Sequence, residues 1–275
     1  MEQGKGIVYR KLPGISAQGL RIWALIFLLC GAVGYGIFGN VLIQAYGVGE
    51  DGVSLAPMSM VTAGSVLQAV YYSAIPVFSF LLVEGMKHTV SLRSYATRIG
   101  LLALVTELPY NLCMNGSLLG ALSFEGGLHF DFASFSLNPV FGTLLCLVVL
   151  YFFRQFATKD VKGVVIGVMI WLVAFLWVGM LHLENANMML VIVPVLWLCR
   201  KKKAMQIFCG CVATFLCSIL DLGTMASIGC FIAPLTFMLV HFYNGEKGEG
   251  NRWINYLAYP AILLATGLAA KFVIV

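Results

Sequence analysis

Long apolar stretches follow one another along the chain with short polar breaks between them. They predict nine helices, over residues 21–45, 65–86, 97–114, 137–154, 163–181, 186–200, 204–222, 226–243 and 254–274. A bilayer core of about 30 Å takes roughly 20 apolar residues in a helix rising about 1.5 Å per residue, and most of these stretches have that length. The breaks include Gly49-Glu50-Asp51-Gly52, Lys87-His88, Asn115-Gly116-Ser117, Lys159-Asp160, Glu184-Asn185, Lys201-Lys202-Lys203 and Asn244-Gly245-Glu246-Lys247. Segment 186–200 is short for a span, and 53–64 has the composition of a re-entrant or interfacial piece.

Composition sharpens this picture. Of 275 residues, 60% are hydrophobic and 11% charged, against about 25% charged in ordinary soluble domains; the mean hydropathy is +0.93. A water-soluble globule is excluded. The expectation is an all-α, polytopic membrane bundle: one integral-membrane domain over 1–275, with 1–20 as a cytoplasmic N-terminal segment. The first apolar stretch follows basic residues, as a secretory signal would, yet its run of about 25 residues exceeds the usual signal core. It is expected to stay as the first span.

The net charge of +5 does not point to nucleic acid, because excess Lys and Arg in such a chain mark cytoplasmic loops. With the N-terminus inside, only Lys271 of the 17 Lys and Arg falls on the outer side. The eight cysteines lie almost entirely within spans and read as small, polarisable core residues. Cys209-Gly-Cys211 has no second pair at metal-ligand spacing, so no metal is expected. Cys217 and Cys230 both approach the outer end, which makes a disulfide between them conceivable.

Ionisable groups inside spans are costly and by default face a bundle interior or a water-filled cavity. Glu84, Lys87 and His88 share one helix face near the cytoplasmic end; they form either an ion pair closing the helix or the wall of a polar pocket. Glu107 lies roughly 12 Å into its span by helix rise, with Asn111 one turn on and Pro109 freeing a carbonyl between them. Glu107 is either structural or a working acid/base. Asn138 before Pro139 has the order of an N-cap followed by a first-turn proline. His241, Tyr243 and Asn244 close the eighth span on the cytoplasmic side, where aromatic residues gather at membrane interfaces.

The string Ile75-Pro76-Val-Phe-Ser-Phe-Leu-Leu-Val-Glu84-Gly-Met-Lys87-His88-Thr89, followed by Tyr95 and Arg98, resembles the most recognisable stretch of the TraX family. The resemblance continues in order through Leu104-Val-Thr-Glu107-Leu-Pro-Tyr-Asn111, Asn138-Pro-Val-Phe141-Gly-Thr143, Tyr243-Asn244-Gly245 and Tyr256-Leu-Ala-Tyr259-Pro260. It implies a multi-pass protein of the bacterial cytoplasmic membrane, similar in outline to membrane acyltransferases. It also implies acetyl-CoA or another acyl-CoA as co-substrate and a small protein or carbohydrate as acceptor, the named member being implicated in N-terminal acetylation of conjugative pilin. Against the family's first-helix "IDHIG", Gly31 and Ala32 stand where Asp and His are expected, and Ile262 stands where a His follows the closing Tyr-Pro.

Acyl transfer needs a base to take a proton from an amine or hydroxyl, and donors to hold the thioester oxyanion. The candidates for the catalytic role are Glu84, His88, Glu107 and His241; those for holding the co-substrate are Lys87, Arg93, Arg98, Asn111, Asn138, Tyr243 and Asn244. Lys87, Arg93 and Arg98 suit the phosphates of a CoA-like ligand. The alternatives are a non-catalytic relative that binds a lipid, acyl group or protein partner, and a small transporter built on the Glu107 seam. Retained acids and amides are expected to converge on one inward-opening vestibule.

Overall fold

A computed structural model describes residues 14–47, 55–118, 122–123, 129–130, 136–156, 160–220 and 226–274. It is a helical bundle. Ser16 accepts the amide of Gly19 and so caps α1 (Ala17–Ala32), which runs on without a loop into a π-helical stretch, Val33–Ile43, and a 3-10 turn, Gln44–Tyr46. Gln68 Nε2 of the helix that follows donates to Gly34 O in the π stretch at 3.1 Å, joining the two helices. Glycine permits the close approach here, since a Cβ on Gly36 would sit 2.9 Å from Cys113 Sγ.

The predicted span 65–86 is two helices, α2 (Met58–Tyr71) and α3 (Ala74–His88), separated by a tight turn at Tyr72-Ser73. Pro76 lacks the amide that would continue the ladder, which places a helix start just before it. Residues 58–64, read from sequence as part of a re-entrant or interfacial piece, are the first turns of α2; residues 53 and 54 lie outside the described residues. Helix α4 (Leu92–Asn115) begins at the Ser91 cap and ends on Gly116 at φ +68°, a left-handed conformation natural to glycine.

Strands β1 (Leu122–Ser123) and β2 (His129–Phe130) pair antiparallel between α4 and α5 (Pro139–Phe156). Then come α6 (Val161–Leu181), α7 (Ala186–Leu198) and α8 (Lys203–Leu220). The predicted eighth helix is interrupted: α9 (Ala226–Leu235) ends just after Pro234, and α10 (Phe237–His241) follows Thr236. Helix α11 (Arg252–Ile274) closes the chain.

Grouping helices that follow without a loop yields nine rods among the described residues, in the predicted order. Five helical stretches are long and apolar enough to cross a membrane: Ala17–Tyr46, Met58–His88, Pro139–Phe156, Val161–Leu181 and Lys203–Leu220. Helices α3 and α7 form the centre, where Val77, Phe80, Val83, Leu190, Ile192 and Leu196 are buried to 2% exposure or less. Helix α6 is the periphery. Only its small or β-branched residues Gly163, Gly167, Ala174 and Val178 are buried, and Leu176 and Met180 stand out at 68% and 72% exposure. Apolar residues turned outward in this way suit a hydrocarbon solvent.

Candidate functional site

The polar groups singled out from sequence do not converge on one vestibule. They fall into clusters at different depths, because α4 carries Arg93 and Arg98 at one end and Glu107 about 22 Å of helix rise beyond Leu92.

At the first end, Glu84 Oε2 accepts Lys87 Nζ at 2.7 Å and Glu84 Oε1 meets His88 Nε2 at 3.2 Å. The Glu84 side chain is 15% exposed and that of His88 71%, so a sheltered carboxylate orients an open imidazole. Tyr243 packs edge-to-face on Phe80, 5.3 Å between centroids, within electrostatic reach of Glu84 and Arg21. Arg93 and Arg98 are exposed at the same end, with Arg98 Nε donating to Ser94 O at 2.9 Å.

The loop after α10 joins this end to the start of α1. Ile15 donates to Phe242 O at 2.8 Å and accepts from Asn244 N at 3.0 Å, while Gln18 and Asn255 exchange hydrogen bonds at 2.7 and 2.8 Å. Asn244 Oδ1 accepts the Glu246 amide at 2.9 Å, shaping a turn in which Gly245 has φ +81°. Lys203 Nζ donates to His241 O at 2.9 Å, the last carbonyl of α10, and to Tyr243 O just beyond it at 2.6 Å. The loop carrying Tyr243 and Asn244 therefore ties the end of α10 to the start of α1, and the exposed His241 ring lies against Phe242.

Deeper along α4, Glu107 joins α4 to α5. Its Oε2 accepts Asn138 Nδ2 at 2.6 Å and the Asn138 amide at 3.3 Å, and its Oε1 accepts Asn111 Nδ2 at 3.3 Å. Asn138 is fully buried; Nδ2 also donates to Ala103 O at 2.9 Å, and Oδ1 accepts the Val140 amide at 3.0 Å as the expected N-cap. Every polar atom of the Asn138 side chain is thus used by the protein itself.

A third cluster escaped the sequence reading, which took Glu184-Asn185 only as a break. Leu137 and Leu183 form a parallel bridge that pins the α6–α7 turn to the segment before α5, and His182 and Asn185 take positive φ there, 45° and 56°. Asn185 Nδ2 donates to Tyr71 Oη and to Glu184 Oε1, both at 3.2 Å. Glu184 Oε2 and Tyr259 Oη are buried with no hydrogen-bond partner. Burial pushes the Glu184 carboxyl up to about 7, with the Asn185 hydrogen bond opposing. The available signal was that Glu184 is the one acid between Asp160 and Asp221.

Tyr71 also explains what became of the first helix. Its ring lies so close over Gly31 that an added Cβ would clash with Cδ2 and Cγ, and Ala32 is fully buried with its carbonyl accepting the Cys113 thiol at 3.7 Å. The conceivable disulfide falls outside the description, because the Cys230 side chain is not among the described residues.

A helical bundle with outward apolar faces, five helical stretches of membrane-crossing length and internal carboxylate–amide clusters defines an integral membrane protein of the polytopic class. A family profile described as TraX protein matches residues 19–269, and the chain belongs to the TraX family. Neither a curated protein nor a solved structure matches it significantly.

Proposed function

We propose that this protein is a membrane acyltransferase of the TraX family that works at its basic end. All nine rods cross a bacterial cytoplasmic membrane, and the N-terminus and the basic end face the cytosol. The observation that carries the reading is the Glu84–His88 contact of 3.2 Å. With Nε2–H donating to Glu84, the lone pair of His88 Nδ1 is free to take a proton from an acceptor amine or hydroxyl. The acceptor's N or O then bonds to the thioester carbonyl carbon and the C–S bond breaks. The thiolate leaves as the free thiol by taking that proton back from His88. Lys87, Arg93 and Arg98 supply positive charge for the phosphates of an acyl-CoA.

The test is acyl transfer from acetyl-CoA to small amines and alcohols by the purified full chain. His88→Ala should lower kcat about 10²-fold or more, the usual contribution of a positioned base. Glu84→Gln should fall less, and His241→Ala should stay near the parent rate. Absence of turnover, or a His88→Ala rate equal to the parent, overturns the reading.

A second reading is favoured by the Tyr71 ring over Gly31. It fills the place where the family resemblance puts an acidic side chain, as befits a non-catalytic relative that keeps the bundle and binds a lipid, acyl group or protein. Binding of acyl-CoA with no turnover on any acceptor would select it.

A further inference from the structure

Glu184 has a feature the acyl-transfer reading does not use. One carboxylate oxygen is served by Asn185, while the other, Oε2, is buried without a partner, as is the hydroxyl of Tyr259. The two are close enough to interact electrostatically, and Glu184 is likewise felt at Tyr71, whose hydroxyl accepts from Asn185. Tyr71 and Tyr259 belong to one packed cluster with Tyr110 and Cys113 of α4, bordered by Tyr35.

The titratable groups that face this carboxyl or its phenols are Tyr35 from the π segment, Tyr71 from α2, Glu107 and Cys113 from α4, and Tyr259 from α11, with His182 exposed in the same turn. No Lys or Arg stands among them in the described residues. A buried acid therefore meets phenol oxygens, and its counter-charge comes from no basic side chain. Leaving a buried polar atom unpaired is costly, and oxygen donors of this kind are the ligands that hard cations prefer.

We propose that Glu184 Oε2, Tyr259 Oη and Tyr71 Oη form a site for a small monovalent cation, either an alkali ion or a short alkylammonium, inside the bundle where the α6–α7 turn meets α2 and α11. The site needs an ionised carboxylate, so occupancy falls below pH 7, where Glu184 holds a proton. This inference goes beyond acyl transfer and does not depend on it.

The experiment is thermal unfolding of the full chain in detergent at pH 8. NaCl, KCl and methylammonium chloride are compared with tetrabutylammonium chloride at equal ionic strength. A bound cation stabilises by mass action, so Tm should climb with the small cations and level off, and the rise should vanish at pH 5.5 and in Glu184→Gln. Tyr259→Phe should raise the half-saturating concentration several-fold. A response to the alkali ions alone, or to methylammonium alone, identifies which cation the site takes. The proposal is overturned if no small cation raises Tm, if tetrabutylammonium raises it equally, or if Glu184→Gln responds as the parent does. Should Glu184→Gln fail to fold, an unchanged half-saturation in Tyr259→Phe overturns it. Because the readout is unfolding, a protein without transferase activity can still pass, and an active one can still fail.

Discussion

Glu84 and Glu107 belong to the same family-like sequence and each accepts two side-chain partners, yet they do different work. Glu84 sits at a helix end, with Lys87 and His88 from its own helix, about one turn away. Its contacts are local and leave the imidazole in the medium. Glu107 reaches across to the start of another helix and takes the side chain and backbone of a fully buried Asn138. A local pair opens a group to chemistry, whereas a long-range one fixes the register of two helices. The surrounding medium sets the energetic difference: an exposed pair is worth about 0.2–1 kcal/mol, while stripping a partner from a buried polar group costs about 1–3 kcal/mol per group.

The comparison is broken most severely by Glu107→Ala, which orphans donors of both Asn138 and Asn111. A loss of about 3 kcal/mol is expected, read as a drop in Tm and in the monodisperse fraction after detergent extraction. An equal loss from Glu84→Ala would erase the distinction.

Next in size is Gly31→Ala. The new methyl group meets the Tyr71 ring, and overpacking of this kind costs about 1–3 kcal/mol. The double variant with Tyr71→Ala should recover part of the loss, whereas Gly179→Ala, with open space around it, should be neutral or stabilising.

A third outcome concerns pH. Because the Glu184 carboxyl is raised from 4.5 to about 7 in the fold, the folded chain holds a proton there that the unfolded chain has released. Stability from this group is fully present below about pH 4.5 and is lost as pH rises towards 7. Glu184→Gln should therefore gain stability relative to the parent between pH 5 and pH 8 in a buffer free of small cations. An unchanged difference in Tm across that range would contradict the burial argument.

The smallest expected effect is Glu84→Gln, at under about 1 kcal/mol in thermal unfolding. Paired with a larger effect on acyl transfer, it would separate function from stability at the basic end.

Much of the bundle was legible along the chain. Runs of apolar residues broken by charge located the nine rods of the described residues to within a few residues at most ends, and five of the stretches have the length and apolar character that a helix in hydrocarbon needs. Asn138-Pro139 announced its cap, and the i, i+3 and i, i+4 spacings of Glu84, Lys87 and His88 announced their contacts. Each of these is decided within a turn or two of helix.

Tertiary packing decided the rest. Nothing local says that Glu107 is occupied by Asn138, that Tyr71 fills the space beside Gly31, or that Lys203 caps the end of α10. Glu184 looked like loop punctuation until α2, α11 and the α6–α7 turn closed around its carboxylate. Hydrophobic length depends on neighbours in sequence, and so the chain alone determines the rods. The partners of a buried polar atom depend on which rods come together, a choice made by packing across 30 to 150 residues of separation.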